Sequence, residues 1–214
     1  MRTLPALLLL VALAPAPVLA QDRLPRADFS GTLGWFSSHH SELESYNQWA
    51  NESLIGEIGA GFYWTPHWKT EALAGASTET DHYGSTSVVI NGQPFFSPAH
   101  FTFSTRRVSI TQQYQFGNNQ WFHPYLGVGV DGVWERRARR DEPIYTYDQV
   151  TRRSVLVKPE REYPADTNLR ALPAAAAGFK SYITARGFFR ADLRVTFSGG
   201  PDEAVLRFGF GVDF

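Results

Sequence analysis

Three consecutive residues, His39, His40 and Ser41, carry side chains that could perform nucleophilic catalysis. A histidine can act as the general base that deprotonates a serine hydroxyl, and a carboxylate can orient that histidine. The following stretch supplies three carboxylates: Glu42, Glu44 and Glu52. These residue types could form a nucleophile–base pair, provided that a rigid element holds them in register.

The same histidines, together with Asp81 and His82, could also meet as metal ligands at one mouth of the fold. The spacing of these residues is not diagnostic of a metal site, because loop histidines are usually solvated. The sequence also has no glycine-rich phosphate loop followed by a helix, so nucleotide binding has no support. We therefore expect neither a metal nor any other cofactor.

A larger set of charged residues lies in segments where apolar and polar residues alternate. All of its members share one phase of that alternation. It contains six acids and six bases: Glu57, Lys69, Glu71, Arg107, Asp131, Glu135, Lys180, Arg190, Asp192, Arg194, Arg207 and Asp213. If this phase faces a narrow lumen, unpaired charges would be costly there, so we predict that they pair across it. Glycines on the same phase would make room for the long charged side chains.

The elements that carry these charges are predicted to be β-strands. From Ala204 to Phe214 every second residue is apolar, and a period of two is typical of a strand with two different faces. Such alternation recurs in eight segments: 28–38, 54–65, 67–77, 101–116, 123–135, 172–184, 187–198 and 204–214. The predicted fold is all-β, an eight-stranded antiparallel up-and-down transmembrane β-barrel over residues 21–214.

The predicted connections alternate between short and long. Short joins lie at 65–67, 117–120 and 185–186, whereas the connections at 39–53, 78–100 and 136–171 are long and polar. Short turns at one membrane face and long loops at the other are typical of bacterial barrels. The longest loop contains both arginines and acids, which favours a solvated loop over a binding patch.

Aromatic residues gather near the ends of the predicted strands on the apolar phase, as the two girdles of a membrane barrel do. The lower set is Phe29, Trp64, Trp68, Phe116, Phe189 and Phe214, and the upper set is Trp35, Trp134 and Phe197. Arg106 falls on the same lipid-facing phase near the outer end, where a long side chain can reach the interface.

The start of the chain predicts export. Residues 1–20 combine Arg2, an apolar run over 4–13 and a Val18-Leu19-Ala20 cleavage site, which together are typical of a secretory signal peptide. The chain has no cysteine, so neither a lipoprotein anchor nor a disulfide framework is expected. The net charge of −1 argues against nucleic acid as a partner.

The last residues resemble the assembly signal of bacterial outer-membrane proteins, with Arg207, Gly209 and Phe214 matching and Val212 at a position that is usually aromatic. Over residues 28–214 the pattern resembles the OmpA-like transmembrane and related outer-membrane beta-barrel families, and 123–130 looks like their P-Y-x-G-x-G strand. The resemblance implies an outer-membrane location, recognition by the outer-membrane assembly machinery, and contact with outer-membrane lipids and lipopolysaccharide.

The predicted fold discriminates between four functions. The lipid A deacylase family uses a His-x-Ser motif late in the chain, whereas 39–41 lies in the first predicted loop, so we expect no catalysis. A porin needs about sixteen strands, and a soluble lipocalin-like carrier needs the opposite arrangement of polar and apolar faces. The sequence predicts an integral outer-membrane barrel with a structural or surface-interaction role through its long loops and a lumen closed by ion pairs. The alternative is a lipid A-modifying enzyme.

Overall fold

The computed structural model describes residues 26–39, 49–90, 92–117, 121–149 and 152–214. The predicted signal peptide and the candidate residues His40, Ser41, Glu42 and Glu44 lie outside these ranges. Within them, no helix is long and apolar enough to cross a membrane.

The described residues form β-strands of very unequal length. Their bounds are β1 (Ala27–His39), β2 (Trp49–Tyr63), β3 (Trp68–Ser77), β4 (Thr80–Ile90), β5 (Gln93–Gln115), β6 (Phe122–Asp141), β7 (Ile144–Asp148), β8 (Arg153–Lys158), β9 (Arg161–Tyr182), β10 (Gly187–Phe197) and β11 (Pro201–Asp213).

Eight of these strands close into a barrel in which every neighbouring pair is antiparallel. The order around the ring is β1, β2, β3, β5, β6, β9, β10 and β11. The ring closes where β11 pairs with β1, in a register that runs from Asp28 opposite Asp213 to Ser38 opposite Glu203. The predicted fold class is confirmed, and each of the eight predicted segments overlaps one barrel strand.

The prediction of long loops is wrong for two of the three long connections. Residues 80–90 form β4, which pairs with the upper part of β5, so most of 78–100 is a hairpin. Most of 136–171 likewise belongs to the upper parts of β6 and β9 and to the β7–β8 hairpin. These strands lie beyond the apolar wall, where both faces can be polar, so they lack the alternation that revealed the other strands.

The barrel turns its apolar side chains outwards. Along β1, Leu33 is 71% exposed and Trp35 is 58% exposed, while Ser30 and Thr32, on the other phase of the strand, are buried. This arrangement is the reverse of the core of a soluble protein. It suits a wall that faces lipid, because the backbone hydrogen bonds of a closed barrel are all made between neighbouring strands.

One end of the barrel, called here the turn end, holds the short connections 64–67 and 183–186. Aromatic rings contact one another around this end. Trp68 and Phe116 each meet Tyr114 edge to face, with ring centroids 5.1 and 5.0 Å apart. Further ring pairs continue the belt: Phe62 with Trp64, Phe122 with Phe179, and Phe189 with Phe210. The lower predicted girdle therefore lies on one rim.

Glycines on the inner face leave space for the charged side chains beside them. A methyl group added at Gly75 would overlap Cγ of Glu57, and one added at Gly178 would overlap Cβ of Asp192. The interior of an eight-stranded barrel is just wide enough for side chains to fill. These glycines therefore allow the carboxylates to lie inside the ring.

At the opposite end of the barrel, called here the extended end, the same sheet continues beyond the ring as an extended sheet. In this extended sheet, β4 and the upper parts of β5, β6 and β9 continue the hydrogen-bonded ladder beyond the short strands. Ala99, Phe101 and Phe103 form a buried apolar cluster on its inner face. The guanidinium of Arg137 lies over both phenyl rings, with its central carbon 5.0 and 5.8 Å from their centroids.

Candidate functional site

The lumen contains a network of charged side chains that begins near the turn end. The ammonium group of Lys180 donates to Asp28 at 3.0 Å, to Asp213 at 2.9 Å and to the Tyr63 hydroxyl at 2.6 Å. Lys69 donates to the same Asp28 carboxylate at 3.0 Å and to Glu71 at 2.8 Å. Two lysines therefore share one aspartate, and the barrel wall shields all of these side chains from water.

Arg190 is the centre of the next layer. Its guanidinium donates two hydrogen bonds to Glu71, at 2.7 and 3.1 Å, and another to Asp192 at 2.9 Å. The hydroxyl of Tyr125 accepts from Arg190 at 2.9 Å and donates to Asp192 at 2.7 Å. This fork geometry matches a planar guanidinium to planar carboxylates, which makes such hydrogen bonds strong and directional.

Arg207 extends this layer towards the middle of the barrel. It donates to Asp192 at 2.6 Å and to Glu57 at 2.7 Å. The barrel is closed between β11 and β1, so Arg207 on β11 can reach Glu57 on β2 across only one intervening strand. The pair is 150 residues apart in the sequence.

A second charged group lies higher in the lumen. Arg194 binds the Asp131 carboxylate through two guanidinium nitrogens, one of them at 2.9 Å, and donates to Thr111 at 2.8 Å. Arg107 forms an ion pair with Glu203 and a longer one, at 3.8 Å, with Asp131. All of these charged side chains are almost fully buried.

Arg170 completes the upper group at the rim. It contacts three carboxylates: Asp202 at 2.8 Å, Glu135 at 3.3 Å and Glu203 at 3.4 Å. The side chain of Glu135 is 18% exposed, more than the other eleven predicted luminal residues, which are at most 4% exposed. The structure thus brings all twelve of them to the inner face and joins them with hydrogen bonds or ion pairs.

Sequence reasoning missed four members of the network: Asp28, Arg170, Asp202 and Glu203. With them, the network contains nine carboxylates and seven cations within the described part of the chain, rather than six of each. The missed residues lie at the margins of the predicted segments, and Asp28 shares the phase of Ser30 and Thr32. Asp28 is already the first residue of a predicted segment, and following the alternating phase slightly further would have found Arg170 and Glu203; Asp202 lies off that phase, at the rim.

In the extended sheet, Asp141 is a buried hub. Its carboxylate accepts from Arg139 at 2.7 Å, from Lys158 at 2.7 Å and from the Tyr163 hydroxyl at 3.2 Å. Burial acts to raise the pKa of this carboxyl, but the hydrogen bonds from Arg139 and Lys158 outweigh it and lower the pKa. Because Lys158 belongs to β8, Asp141 ties the β7–β8 hairpin to the sheet.

Of the residues considered for catalysis or metal binding, the structure describes the side chains of Asp81 and His82. Asp81 lies 3.4 Å from the His100 ring nitrogen on the exposed β4–β5 hairpin and accepts from Thr102 at 2.9 Å. His82 instead packs its ring edge-on against Phe103. Throughout the described ranges, no three histidine, cysteine or acidic side chains are placed to hold a metal ion.

The predicted assembly signal lies on the strand that closes the barrel. Arg207 points inwards and is fully buried, whereas Val212 and Phe214 face outwards. The backbone of Phe214 bonds to the first strand, donating to the Ala27 carbonyl oxygen at 2.8 Å and accepting from Arg26 at 2.9 Å. The signal residues are thus part of the seam between β11 and β1.

A closed antiparallel ring with an apolar exterior, aromatic residues at its rim and a charged interior defines a transmembrane β-barrel. The family comparison agrees with this class. The chain belongs to the family described as outer membrane protein beta-barrel domain, whose model matches residues 6–214. Membership of this family places the chain in the outer membrane. No curated protein matches the sequence significantly.

Solved structures share the fold at low sequence identity. Ail, the attachment invasion locus protein of Yersinia pestis, is similar over 90% of this chain and 100% of its own, with a TM-score of 0.53 and 9% identity. Neisserial surface protein A is similar over 88% of this chain and 97% of its own, with a TM-score of 0.53 and 12% identity. At these identities the similarity concerns the fold alone.

Proposed function

We propose that the protein is a closed outer-membrane barrel that acts as a structural or surface-interaction protein through its extended end, and not as a pore or an enzyme. The observation that carries this proposal is the division of the molecule into two parts. The lumen is occupied by buried ion pairs, whereas the extended sheet offers exposed aromatic side chains.

Support for closure comes from the density of the luminal contacts. Arg190, Arg194 and Arg207 are each at most 2% exposed, and each binds a carboxylate on another strand. An interior that eight strands enclose is only about wide enough for side chains, so these bridges occupy the space that a solute would need. The lumen stays occupied although carboxylates outnumber cations, because shared cations such as Lys180 each contact two acids.

Support for a surface role comes from the extended sheet. Together with the β7–β8 hairpin, it exposes Tyr83, Phe96, Tyr145 and Tyr147 beyond the barrel. Aromatic residues are enriched in protein interfaces because they bring a large contact area at a low entropic cost. Placing this end outside the cell also leaves the short connections on the periplasmic side, as in other bacterial barrels. Residues 1–20 would direct the chain to that route as a cleaved signal peptide.

Conductance measures the closure of the lumen directly. We expect the refolded wild-type protein to give no steady channels in planar lipid bilayers, because paired charges occupy the lumen. A sixteen-stranded porin inserted under the same conditions serves as the control for membrane insertion. Steady and uniform channels from the wild-type protein would contradict the proposal.

The alternative of a lipid A-modifying enzyme has less support. Among the His-Ser-Glu candidates of residues 39–44, His39 ends β1, and the others, which the sequence assigns to the first loop, lie outside the described residues. A nucleophile–base pair needs rigid neighbours to hold both groups in position. The described polar clusters contain no serine beside a histidine and a carboxylate, so we propose a non-catalytic role and no cofactor.

We further propose that Phe214 serves assembly more than stability. Deleting it should lower the free energy of unfolding of refolded protein by no more than about 1–2 kcal/mol, since the side chain is exposed, the terminal backbone hydrogen bonds are lost, and eleven residue pairs still join β11 to β1. In cells, we expect the deletion to lower the amount of folded protein several-fold, measured by heat-dependent gel migration of outer-membrane fractions.

Phe210→Leu is the matched control for Phe214, since Phe210 is also an exposed aromatic residue on β11. It should assemble nearly as well as wild type, because it does not alter the terminal aromatic that the assembly machinery is proposed to recognise. Equal assembly of wild type and the Phe214 deletion would show that this residue is not part of a signal.

A further inference from the structure

One arginine lies on the apolar outer wall and has no acidic partner there. Arg106 points outwards from β5, directly above Val108 and Ile110, which are 47% and 61% exposed. Within the described ranges, the side chain of Arg106 makes no hydrogen bond or ion pair. A cation on a lipid-facing wall is costly near the membrane centre and less so at the interface.

A groove surrounds this arginine. It has a volume of about 490 Å³ and lies where β3, β5, β6 and β9 meet at the upper edge of the wall. Its floor is made of small residues, including Ala74 and Ala76. Trp134 lies directly opposite Arg106 on β6, and a Cβ added at Gly132 would be 3.6 Å from the Trp134 ring. The indole thus leans towards the membrane centre and leaves space beside the guanidinium.

A second arginine stands above the first. Arg136 lies opposite Ser104, so it is the diagonal neighbour of Arg106 on the adjacent strand, about 7–8 Å away between backbones. It forms one ion pair, with Glu79 at 3.4 Å, and both of these side chains are exposed. The groove therefore combines two guanidinium groups and one nearby carboxylate with an apolar lower half.

We infer that this groove binds a phosphate of the outer-leaflet glycolipid lipid A, with Arg106 as the main phosphate ligand and the apolar lower half in contact with an acyl chain. This inference rests on the proposed function, which places the extended end outside the cell. Guanidinium groups pair with phosphate oxygens through two parallel hydrogen bonds. Trp134 supports an interfacial depth, because indole rings prefer the headgroup region.

The test uses the whole refolded protein in detergent, with bis-phosphorylated lipid A as the probe and native mass spectrometry as the measurement. We expect wild type to retain one lipid A molecule and Arg106→Gln to bind it roughly tenfold more weakly, as loss of a hydrogen bond to a charged group implies. Arg106→Lys should keep part of the affinity. Arg136→Gln should have a smaller effect, because Arg136 already pairs with Glu79.

Arg153→Gln is the control variant, since Arg153 is an exposed arginine of the β7–β8 hairpin and lies outside the groove. It should bind lipid A as wild type does. Heat-dependent gel migration confirms that each variant is folded. Two control lipids, dephosphorylated lipid A and phosphatidylglycerol, should each bind more weakly than lipid A.

Three outcomes would overturn the inference: equal retention by wild type and Arg106→Gln, equal binding of dephosphorylated lipid A, or equal binding of phosphatidylglycerol. The last outcome would assign the groove to glycerophospholipids. Channel formation in planar bilayers would defeat the proposal of a closed lumen without changing these lipid-binding results, so the two failures can be told apart.

Discussion

Replacing Arg194 with alanine is expected to lower the free energy of unfolding by about 3–5 kcal/mol, since it leaves the buried Asp131 carboxylate with only its long ion pair to Arg107. Arg194 binds both oxygens of the Asp131 carboxylate, and the remaining cation, Arg107, is 3.8 Å away. Urea unfolding of protein refolded into detergent micelles, followed by tryptophan fluorescence, measures the change.

A double-mutant cycle separates the pair from its surroundings. Arg194→Ala combined with Asp131→Ala should lose about 1–3 kcal/mol less than the sum of the single changes, because the second change removes the stranded charge. Arg186→Ala, at an exposed arginine of a turn, should stay within about 0.5 kcal/mol of wild type. Strictly additive losses would mean that the two side chains do not stabilise each other.

Adding a single methyl group at Gly209 is expected to destabilise the barrel by about 1–3 kcal/mol, because the inner face of the closing seam has no room for it. A Cβ at this position would overlap the carbonyl oxygen of Gly31 and the Thr32 side chain on β1. The carbonyl oxygen belongs to the backbone, so no rotation of a side chain relieves the overlap. The same unfolding measurement applies to Gly209→Ala.

Gly31→Ala is the matched control on the other side of the same seam. Gly31 lies opposite Phe210, one residue from Gly209 along β11, and a Cβ there would meet nothing within 4 Å. We expect this variant to stay within about 0.5 kcal/mol of wild type. If the two glycine variants proved equally stable, the proposed crowding of the inner face would be wrong.

The sequence predicted the barrel strands because the membrane imposes a simple rule on them. Each strand crosses from one interface to the other with one face towards lipid and one towards the lumen, so its residues alternate. Leu33 and Thr32, or Phe208 and Arg207, show this rule in neighbouring positions. The rule ends at the upper interface, which is why the strands of the extended sheet were predicted as loops.

The sequence also predicted which charged side chains share the lumen, but not which of them pair. Phase alone assigns Arg207 and Glu57 to the inner face, because it depends only on the parity of each residue along its strand. Their contact depends on the stagger of eight strands and on the closure of β11 onto β1, which no local pattern encodes.

The groove around Arg106 shows the same division. By itself the sequence determined that this arginine breaks the apolar phase of its strand near the outer end. Only the tertiary structure decided what surrounds it, because Ala76, Trp134 and Arg136 lie on β3 and β6, the two strands that pair with β5. Alternation is a property of one strand, whereas a site on a barrel wall is formed by the register between strands.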